Sequence, residues 1–289
     1  PPADAVRIEE LLNSFTYDYP QPEDGQPFSV TMEVAACPWQ PEHRLMRVGM
    51  QARDVDLAAR PATSLVFLID VSGSMSDADK LPLVQESLKL LLGQMTENDR
   101  LAIVTYRDSA QVALQSITGD RRNEAIAIVD SLHAEGSTNG AGGLELAYQV
   151  ATTNFIREGQ NRVIICTDGD FNVGESSDDA MVQLIEQKRE TGVFLSVFGF
   201  GEGNLQDSKL EGIADHGDGQ YAYIDDMDQA RRKFLDELTG TLYTVAKDVK
   251  LQVEFNPLLV QGYRLIGYEN RVLAAKDFNN DNVDAREVG

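Results

Sequence analysis

Two polar stretches of the sequence stand out because each directly follows a run of apolar residues. The run "LVFLI" leads into Asp70, and Ser72 and Ser74 follow at alternate positions around Gly73. The run "VIIC" leads through one threonine into Asp168. Carboxylate and hydroxyl oxygens are the ligands that Mg2+, Mn2+ and Ca2+ prefer, whereas His and Cys favour Zn2+. These residues therefore form either one oxygen-lined cation site or two ordinary polar turns at the ends of strands.

A third hydroxyl is available to the same site. Thr138 lies in "GSTNGAGG", whose glycines are typical of a loop. Ligands of an open parallel sheet bind outside the carboxyl ends of its strands, so we expect Asp70 and Asp168 at one edge with this loop reaching over it. Two desolvated carboxylates repel each other unless a cation lies between them. The sequence thus predicts a metal site made of Asp70, Ser72, Ser74, Thr138 and Asp168.

Short apolar runs separated by helical patterns occupy the middle of the chain. A continuous apolar run such as "LVFLI" is typical of a strand that is buried on both faces of a parallel sheet. We predict six strands, at residues 65–70, 100–106, 110–115, 162–168, 193–201 and 219–225. The short gap between the second and the third favours a hairpin, while helical patterns separate most of the others. This predicts an α/β fold with a doubly wound, mostly parallel six-stranded sheet.

A different pattern, in which apolar and polar residues alternate, flanks this α/β region on both sides. Residues 28–37 and 43–53 alternate in this way before it. The alternation returns after it, at 248–257 and 261–272. Strands need partners, so we predict that the two flanks join in one smaller β-sheet or β-sandwich, into which the α/β domain is inserted. The predicted parts are an N-terminal helix with β-strands at 1–59, the α/β domain at 60–246, and returning strands, truncated, at 247–289.

The composition limits the partners of the protein. Acidic residues outnumber basic ones, 47 to 25, which gives a net charge of −22. Nucleic acids and anionic membranes need cationic contacts, so this balance argues against both. No apolar stretch approaches the roughly 20 residues of a membrane-spanning helix. Two cysteines are too few for a disulfide framework, and because the sequence starts without methionine we expect it to be a fragment.

The spacing of the candidate ligands resembles a known family, the von Willebrand factor type A (VWA) domain, over about residues 60–246. Members of that family carry a metal-ion-dependent adhesion site (MIDAS), which consists of Asp-x-Ser-x-Ser, a distant threonine and a distant aspartate. This sequence has "DVSGS", the threonine of "STNGAGG" and the first aspartate of "TDGDFNVG" in the same order. All five positions are filled, which makes the match specific.

The resemblance implies a Rossmann-like fold and a mode of binding. Ser72, Ser74 and Thr138 would contact Mg2+, or Mn2+ or Ca2+ in its place, through their hydroxyls. Asp70 and Asp168 would bind the cation directly or through water. An open coordination position would take an Asp or Glu carboxylate from a partner protein, as in cation-dependent adhesion.

A second resemblance covers the flanks. The segments "VRIEELLNSFTYDYP", "PFSVTMEVAACPW" and "HRLMRVGMQAR" are similar to the N-terminal segment of the bacterial YfbK-like family. The segment "VKLQVEFNPLLVQGYRLIGYENR" looks like the start of the β-rich C-terminal region of that family. This resemblance implies a location in the cell envelope of a bacterium, either periplasmic or at the surface. A lipid anchor upstream of this fragment would be compatible with that location.

Two functions fit a cation site at this edge. The first is a non-enzymatic module that binds a protein through the metal, with a relay through the last helix of the α/β domain, about residues 227–246, to the β domain. The second is a metal-dependent phosphohydrolase of the dehalogenase type that uses Asp70. That chemistry needs a second acidic residue two positions on, where this chain has Ser72, and a lysine near the Asp168 loop, where the sequence shows none. We therefore favour the binding module.

Two further acidic residues, Asp77 and Asp79, follow the serines closely. They raise the alternative of a second, adjacent calcium site. Ala78 stands where such a site needs an acidic ligand, so we predict instead that both carboxylates stabilise the N-terminus of the next helix.

Overall fold

The computed structural model describes residues 8–23, 25–54, 61–137, 141–169, 178–201, 207–231, 233–234, 249–268, 272–273 and 278. The chain divides into two compact units. One is Leu57–Tyr243, and the other is Pro1–Asp56 together with Thr244–Gly289. The first unit, which is the larger, carries the residues of the predicted metal site.

The described residues form eight strands and seven α-helices. The strands are β1 (Phe28–Ala36), β2 (Arg44–Ala52), β3 (Thr63–Asp70), β4 (Arg100–Tyr106), β5 (Ala110–Thr118), β6 (Gln160–Thr167), β7 (Val193–Phe200) and β8 (Tyr221–Ile224). The α-helices are α1 (Ile8–Asn13), α2 (Leu81–Leu92), α3 (Arg122–Asp130), α4 (Ala141–Thr153), α5 (Asp178–Arg189), α6 (Asp207–His216) and α7 (Met227–Arg231). Short 3-10 helices lie at Gly73–Ser76 and Gly119–Arg121. None of the described helices has the length and apolar character needed to cross a membrane.

Six of the strands form one sheet in the order β5-β4-β3-β6-β7-β8. Neighbouring strands pair in parallel except β4 and β5, which are antiparallel and form the predicted hairpin. The chain enters the sheet at β3, runs outward through β4 and β5, and then returns to the other side of β3 with β6. The strand order therefore reverses between β3 and β6. The predicted α/β fold with a doubly wound, mostly parallel six-stranded sheet is confirmed.

Alternate residues of β3 show why the whole strand is buried. Leu65, Phe67 and Ile69 belong to a core layer that they share with α2, α3 and α7. Val66 and Leu68 belong to a second layer, which they share with α4, α5 and α6. Helices thus cover both faces of the sheet, as a continuous apolar strand requires.

The smaller unit contains a second sheet, in which β1 and β2 pair as an antiparallel hairpin. The strands predicted on the N-terminal side of the α/β region are therefore confirmed. On one face of the hairpin, Arg47 forms an ion pair with Glu33 and lies over the ring of Tyr17, 4.6 Å from its centroid. The two flanks of the chain meet in this unit, because Asn13 of α1 donates a hydrogen bond to the Tyr268 hydroxyl over 2.8 Å.

The strands predicted after the α/β region are absent from the described residues 249–268. A turn interrupts this stretch, because the amides of Leu259 and Val260 both donate to the carbonyl of Asn256. Alternation makes one face of a segment apolar, but it does not supply a neighbouring strand whose backbone groups would pair with it. The segment therefore joins the smaller unit without extending its sheet.

Candidate metal site

The two aspartates reach one edge of the sheet because of the register of the central strands. β3 and β6 pair in parallel, with Ile69 opposite Cys166. Asp70 is the last residue of β3, and Asp168 directly follows Thr167, the last residue of β6. Both aspartates are almost fully buried. They lie where the strand order reverses, which is the position at which open α/β sheets bind their ligands.

The turn after β3 brings its two serines together. The amide of Ser72 donates to Oδ1 of Asp70 over 2.8 Å, which bends the chain directly after the strand. The 3-10 helix Gly73–Ser76 follows, and the fully buried side chain of Met75 anchors it. The hydroxyls of Ser72 and Ser74 are 3.1 Å apart. The segment "DVSGS" thus presents one carboxylate and two hydroxyls within a single turn.

One oxygen of each aspartate has no hydrogen-bond donor among the described residues. These atoms, Oδ2 of Asp70 and Oδ1 of Asp168, are buried and accept no hydrogen bond of normal geometry. Burial raises the pKa of Asp70; the amide and hydroxyl of Ser72 and the nearby Tyr106 hydroxyl oppose this rise, and the charge of Asp168 adds to it. A buried carboxylate oxygen without a donor is costly unless a cation contacts it. The residues present therefore fit a divalent cation that prefers oxygen ligands.

The donor set does not resemble a site of imidazole and thiolate ligands. Across the part of the chain that the structure describes, no group of three or more His, Cys, Asp or Glu residues lies close enough to hold a metal. Structural Zn2+ sites are usually built from such groups. The oxygens at this edge come instead from two carboxylates and two hydroxyls, which are four of the five ligands that the sequence predicts.

A lysine that sequence reasoning missed lies beside Asp168. The Nζ atom of Lys80 donates to Oδ2 of Asp168 over 2.9 Å and to the carbonyl of Ser74 over 2.9 Å. Its side chain is only 10% exposed. Burial lowers the pKa of Lys80, but the hydrogen bond and the negative charge of Asp168 outweigh this, so the net pKa lies above the ordinary value. The expectation that no lysine lies near the Asp168 loop is therefore wrong.

Sequence spacing gives little sign of this contact, because 88 positions separate Lys80 from Asp168. The available signal is the position of Lys80 directly before α2, since a helix that follows a strand begins near the carboxyl end of that strand.

Gly201, directly after β7, makes room for the lysine. A Cβ atom at Gly201 would lie 2.5 Å from Cγ and 2.7 Å from Cε of Lys80. Its φ of +80° is also one that glycine adopts most easily.

The fifth predicted residue, Thr138, lies outside the described residues. The loop that leads to it is bonded to the turn after β3. The amide of Gly73 donates to the carbonyl of Gly136 over 3.0 Å, and the amide of Glu135 donates to the carbonyl of Val71 over 2.9 Å. These main-chain bonds join the loop to the turn that carries the two serines.

Asp108 holds the next residue of this loop. Its Oδ1 atom accepts hydrogen bonds from the amide of Ser137 at 3.0 Å and from the hydroxyl of Ser137 at 2.6 Å. These bonds lower the pKa of Asp108, because they stabilise its charged form. Gly136 lies so close that a Cβ atom there would be 2.5 Å from Oδ2 of Asp108. The segment directly before Thr138 is thus fixed by main-chain and side-chain contacts.

The structure does not show the capping role predicted for Asp77 and Asp79. The helix α2 begins at Leu81 with Lys80 as its N-cap, and no acidic residue lies in its first turn. The side chain of Asp77 is 71% exposed, and its carboxylate lies 3.8 Å from Nζ of Lys80. The two negative charges therefore act on Lys80, where they favour the charged form after the larger effects of burial and Asp168.

Three known families match successive parts of the chain. Residues 64–238 match the family described as von Willebrand factor type A domain. The chain belongs to the von Willebrand factor type A domain family. This match spans β3 to α7 and therefore every strand of the six-stranded sheet. Residues 1–47 match a family described as von Willebrand factor, and residues 240–289 match one described as Uncharacterized protein YfbK, C-terminal.

Curated relatives show the same relationship. The Uncharacterized protein YfbK of Escherichia coli (strain K12) is 48% identical over 297 residues, which cover 100% of this chain and 52% of that protein. Inter-alpha-trypsin inhibitor heavy chain H3 of Homo sapiens is 31% identical over 194 residues, which cover 63% of this chain and 21% of that protein. The chain thus spans about half the length of the first relative and about a fifth of the second. It is a YfbK-like VWA protein.

Solved structures confirm the fold. A von Willebrand factor type A protein from Catenulispora acidiphila aligns with a TM-score of 0.55 at 20% identity, over 75% of this chain and 50% of that chain. The conserved hypothetical protein BatB from Bacteroides thetaiotaomicron aligns with a TM-score of 0.52 at 19% identity, over 62% of this chain and 98% of that chain. At these identities the likeness shows the fold alone, an α/β sheet with helices on both faces.

Proposed function

We propose that this protein is a non-enzymatic module that binds a partner protein through a divalent cation. The cation, Mg2+ with Mn2+ or Ca2+ as substitutes, would be held by Asp70, Ser72, Ser74, Thr138 and Asp168. The observation that carries the proposal is the pair of buried carboxylates at adjacent strand ends. Each has one oxygen that accepts no hydrogen bond from the described residues, and two hydroxyls 3.1 Å apart lie in the same turn as the first carboxylate. Family membership supports the proposal, since VWA domains are mostly interaction modules.

The charges of the site favour an acidic ligand. When bound, the cation supplies a Lewis-acidic centre that a carboxylate can coordinate. The two serine hydroxyls are neutral and leave its positive charge available to the ligand. Asp70 and Asp168 contribute two negative charges, and Lys80 offsets one of them. An Asp or Glu side chain of the partner can therefore bind, even though the chain as a whole has a net charge of −22.

Calorimetric titration with Mg2+, followed by a pull-down from the parent organism, tests the proposal. Asp70→Ala should abolish saturable Mg2+ binding and the magnesium-dependent capture of a partner. Asp120→Ala is the matched control, because Asp120 is an exposed acidic residue beyond the far end of β5. Capture of the same partner in equal amounts with magnesium and with a chelator would contradict the proposal.

The alternative is a dehalogenase-type phosphohydrolase that uses Asp70. One observation favours it, because the contact of Lys80 with Asp168 supplies the lysine that sequence reasoning did not find. The second requirement, an acidic residue two positions after Asp70, is unmet because Ser72 stands there. Hydrolysis of generic phosphate esters with Mg2+ decides between the two functions. Robust turnover that is lost in Asp70→Asn would overturn the binding proposal.

We also propose that ligand binding is relayed through the helix predicted at 227–246. Its described part packs in the same core layer as α2, where the rings of Phe234 and Phe198 are 5.0 Å apart and Ala230 is fully buried. Since Lys80 is the N-cap of α2, a shift at the metal site can reach α7 through this layer. Residues 235–246 lie outside the described residues. Identical small-angle scattering with and without Mg2+ and partner would contradict the relay.

The proposed location is the cell envelope of a bacterium, either periplasmic or at the surface. The 48% identity to an Escherichia coli protein supports a bacterial origin. Cell fractionation followed by immunoblotting tests the location. Recovery in the cytoplasmic fraction alone would contradict it.

A further inference from the structure

Lys80 brings a fixed positive charge to the candidate metal site. We propose that Lys80 shares Asp168 with the bound cation, so that its ammonium group holds Oδ2 and leaves Oδ1 for the metal, and that the repulsion between the two positive charges sets the affinity of the site. This inference rests on the proposed function, because it concerns the affinity of the same site for its cation.

The ammonium group is bound by several acceptors. Two of its hydrogens donate to Oδ2 of Asp168 and to the carbonyl of Ser74, each over 2.9 Å. The carboxylate of Asp77 lies 3.8 Å away. The side chain of Lys80 is 10% exposed and that of Asp168 is 1% exposed. Because water is largely excluded from this pair, the positive charge acts on its surroundings more strongly than a surface lysine would.

The rest of Lys80 is fixed as well. Its amide donates to the carbonyl of Asp77 over 3.0 Å, and its carbonyl accepts from the amide of Val84 over 2.9 Å in the first turn of α2. Its aliphatic stem packs against Gly201, where a Cβ atom would come within 2.5 Å of Cγ. The ammonium group cannot be withdrawn from Asp168 without moving this stem or the start of α2. The charge therefore remains in the site when a cation binds.

The balance of charge gives the direction of the effect. Asp70 and Asp168 together supply two negative charges, and Lys80 reduces this to one against the two positive charges of the cation. A site without the lysine would hold a divalent cation more tightly. With Lys80 present the cation is held weakly enough to exchange, so partner binding responds to the cation concentration. Loss of one nearby positive charge should tighten cation binding by about tenfold or more.

Lys80→Met tests the inference, with calorimetric titration of Mg2+ and Mn2+ as the measurement. We expect a dissociation constant for each cation about tenfold or more below that of the unsubstituted chain. A merely structural role for Lys80 predicts the opposite, since a distorted site binds more weakly. Lys89→Met is the matched control, because Lys89 lies in α2, the helix that Lys80 caps, and pairs with Glu86 and Asp130 instead of Asp168. Its dissociation constants should be unchanged.

If circular dichroism shows that Lys80→Met does not fold, Lys80→Gln is measured in its place. The amide can still donate to Asp168 but carries no charge, so it should also tighten binding. Unchanged or weaker binding by folded Lys80→Gln would overturn the inference and leave the proposed function standing. Tighter binding without a cation-dependent partner would support the inference and refute the proposed function. If neither the unsubstituted chain nor the variants bind Mg2+ or Mn2+, both are refuted.

Discussion

Gly201→Ala should destabilise the larger unit for two independent reasons, one in the backbone and one in side-chain packing. The φ of Gly201 is +80°, a left-handed conformation that costs an L-residue about 1–2 kcal/mol. The new Cβ atom would also lie 2.5 Å from Cγ and 2.7 Å from Cε of Lys80, and overpacking of this kind costs about 1–3 kcal/mol. The free energy of unfolding should therefore fall by about 2–5 kcal/mol, which corresponds to a fall in melting temperature of about 4–20 °C for a domain of this size.

Thermal unfolding followed by circular dichroism measures the change. Gly212→Ala is the matched control, because a Cβ atom at Gly212 in α6 has no neighbour within 4 Å. The same substitution there should leave the free energy of unfolding unchanged or raise it by up to about 1 kcal/mol. In a Lys80→Ala background the steric cost of Gly201→Ala should vanish, so that only about 1–2 kcal/mol remains. The full cost in that background, or no cost in the unsubstituted chain, would refute the reasoning.

Four other perturbations probe the loop and the core. Asp108→Ala should weaken Mg2+ binding, measured by calorimetry, because it releases Ser137 from its two hydrogen bonds; unchanged affinity would contradict this. The same contact lowers the pKa of Asp108, so it should stabilise the loop fully above the ordinary pKa of an aspartate. This stabilisation should be lost as the pH falls through the lowered value, and hydrogen exchange of the Ser137 amide measures the loss. Burial raises the pKa of Cys166, so a thiol reagent at neutral pH should modify it only as fast as the chain unfolds, and rapid labelling of the folded protein would count against this. Leu88→Ala should lower the free energy of unfolding by about 3 kcal/mol in urea titrations, because Leu88 is fully buried, and a loss below about 1 kcal/mol would contradict its place in the core.

Asp70 and Asp168 could be placed from the sequence because one geometric rule connects them. A continuous apolar run indicates a buried parallel strand, and all such strands end at the same edge of the sheet. The register of β3 and β6 then brings the two carboxylates together without any further information. The serine turn was predictable for a similar reason, since its residues are neighbours in the chain. Local and periodic signals were sufficient here.

The contact of Lys80 and the structure of residues 249–268 could not be predicted from such signals. The pairing of Lys80 with Asp168 depends on where α2 begins relative to β6, which no spacing within "SDADKLP" reveals. The acidic residues beside it indicated a helix cap, and only the fold shows that they face a buried ammonium group. In 249–268 the alternation was real, but a strand also needs a neighbour to pair with, and that is a property of the whole unit. Both misses concern contacts between segments distant in sequence.

Because Asp168 follows Lys80 by 88 positions, the complete site can form only late in synthesis. A nascent chain that ends before β6 already contains Asp70, the two serines and Lys80, but it lacks the second carboxylate. Pairings over such distances are slow, because the intervening chain must be ordered first. We therefore expect the apolar layers on both faces of β3 to bring the two strands together before both carboxylates can contact the proposed cation. We therefore expect the proposed cation to bind after the central sheet has formed.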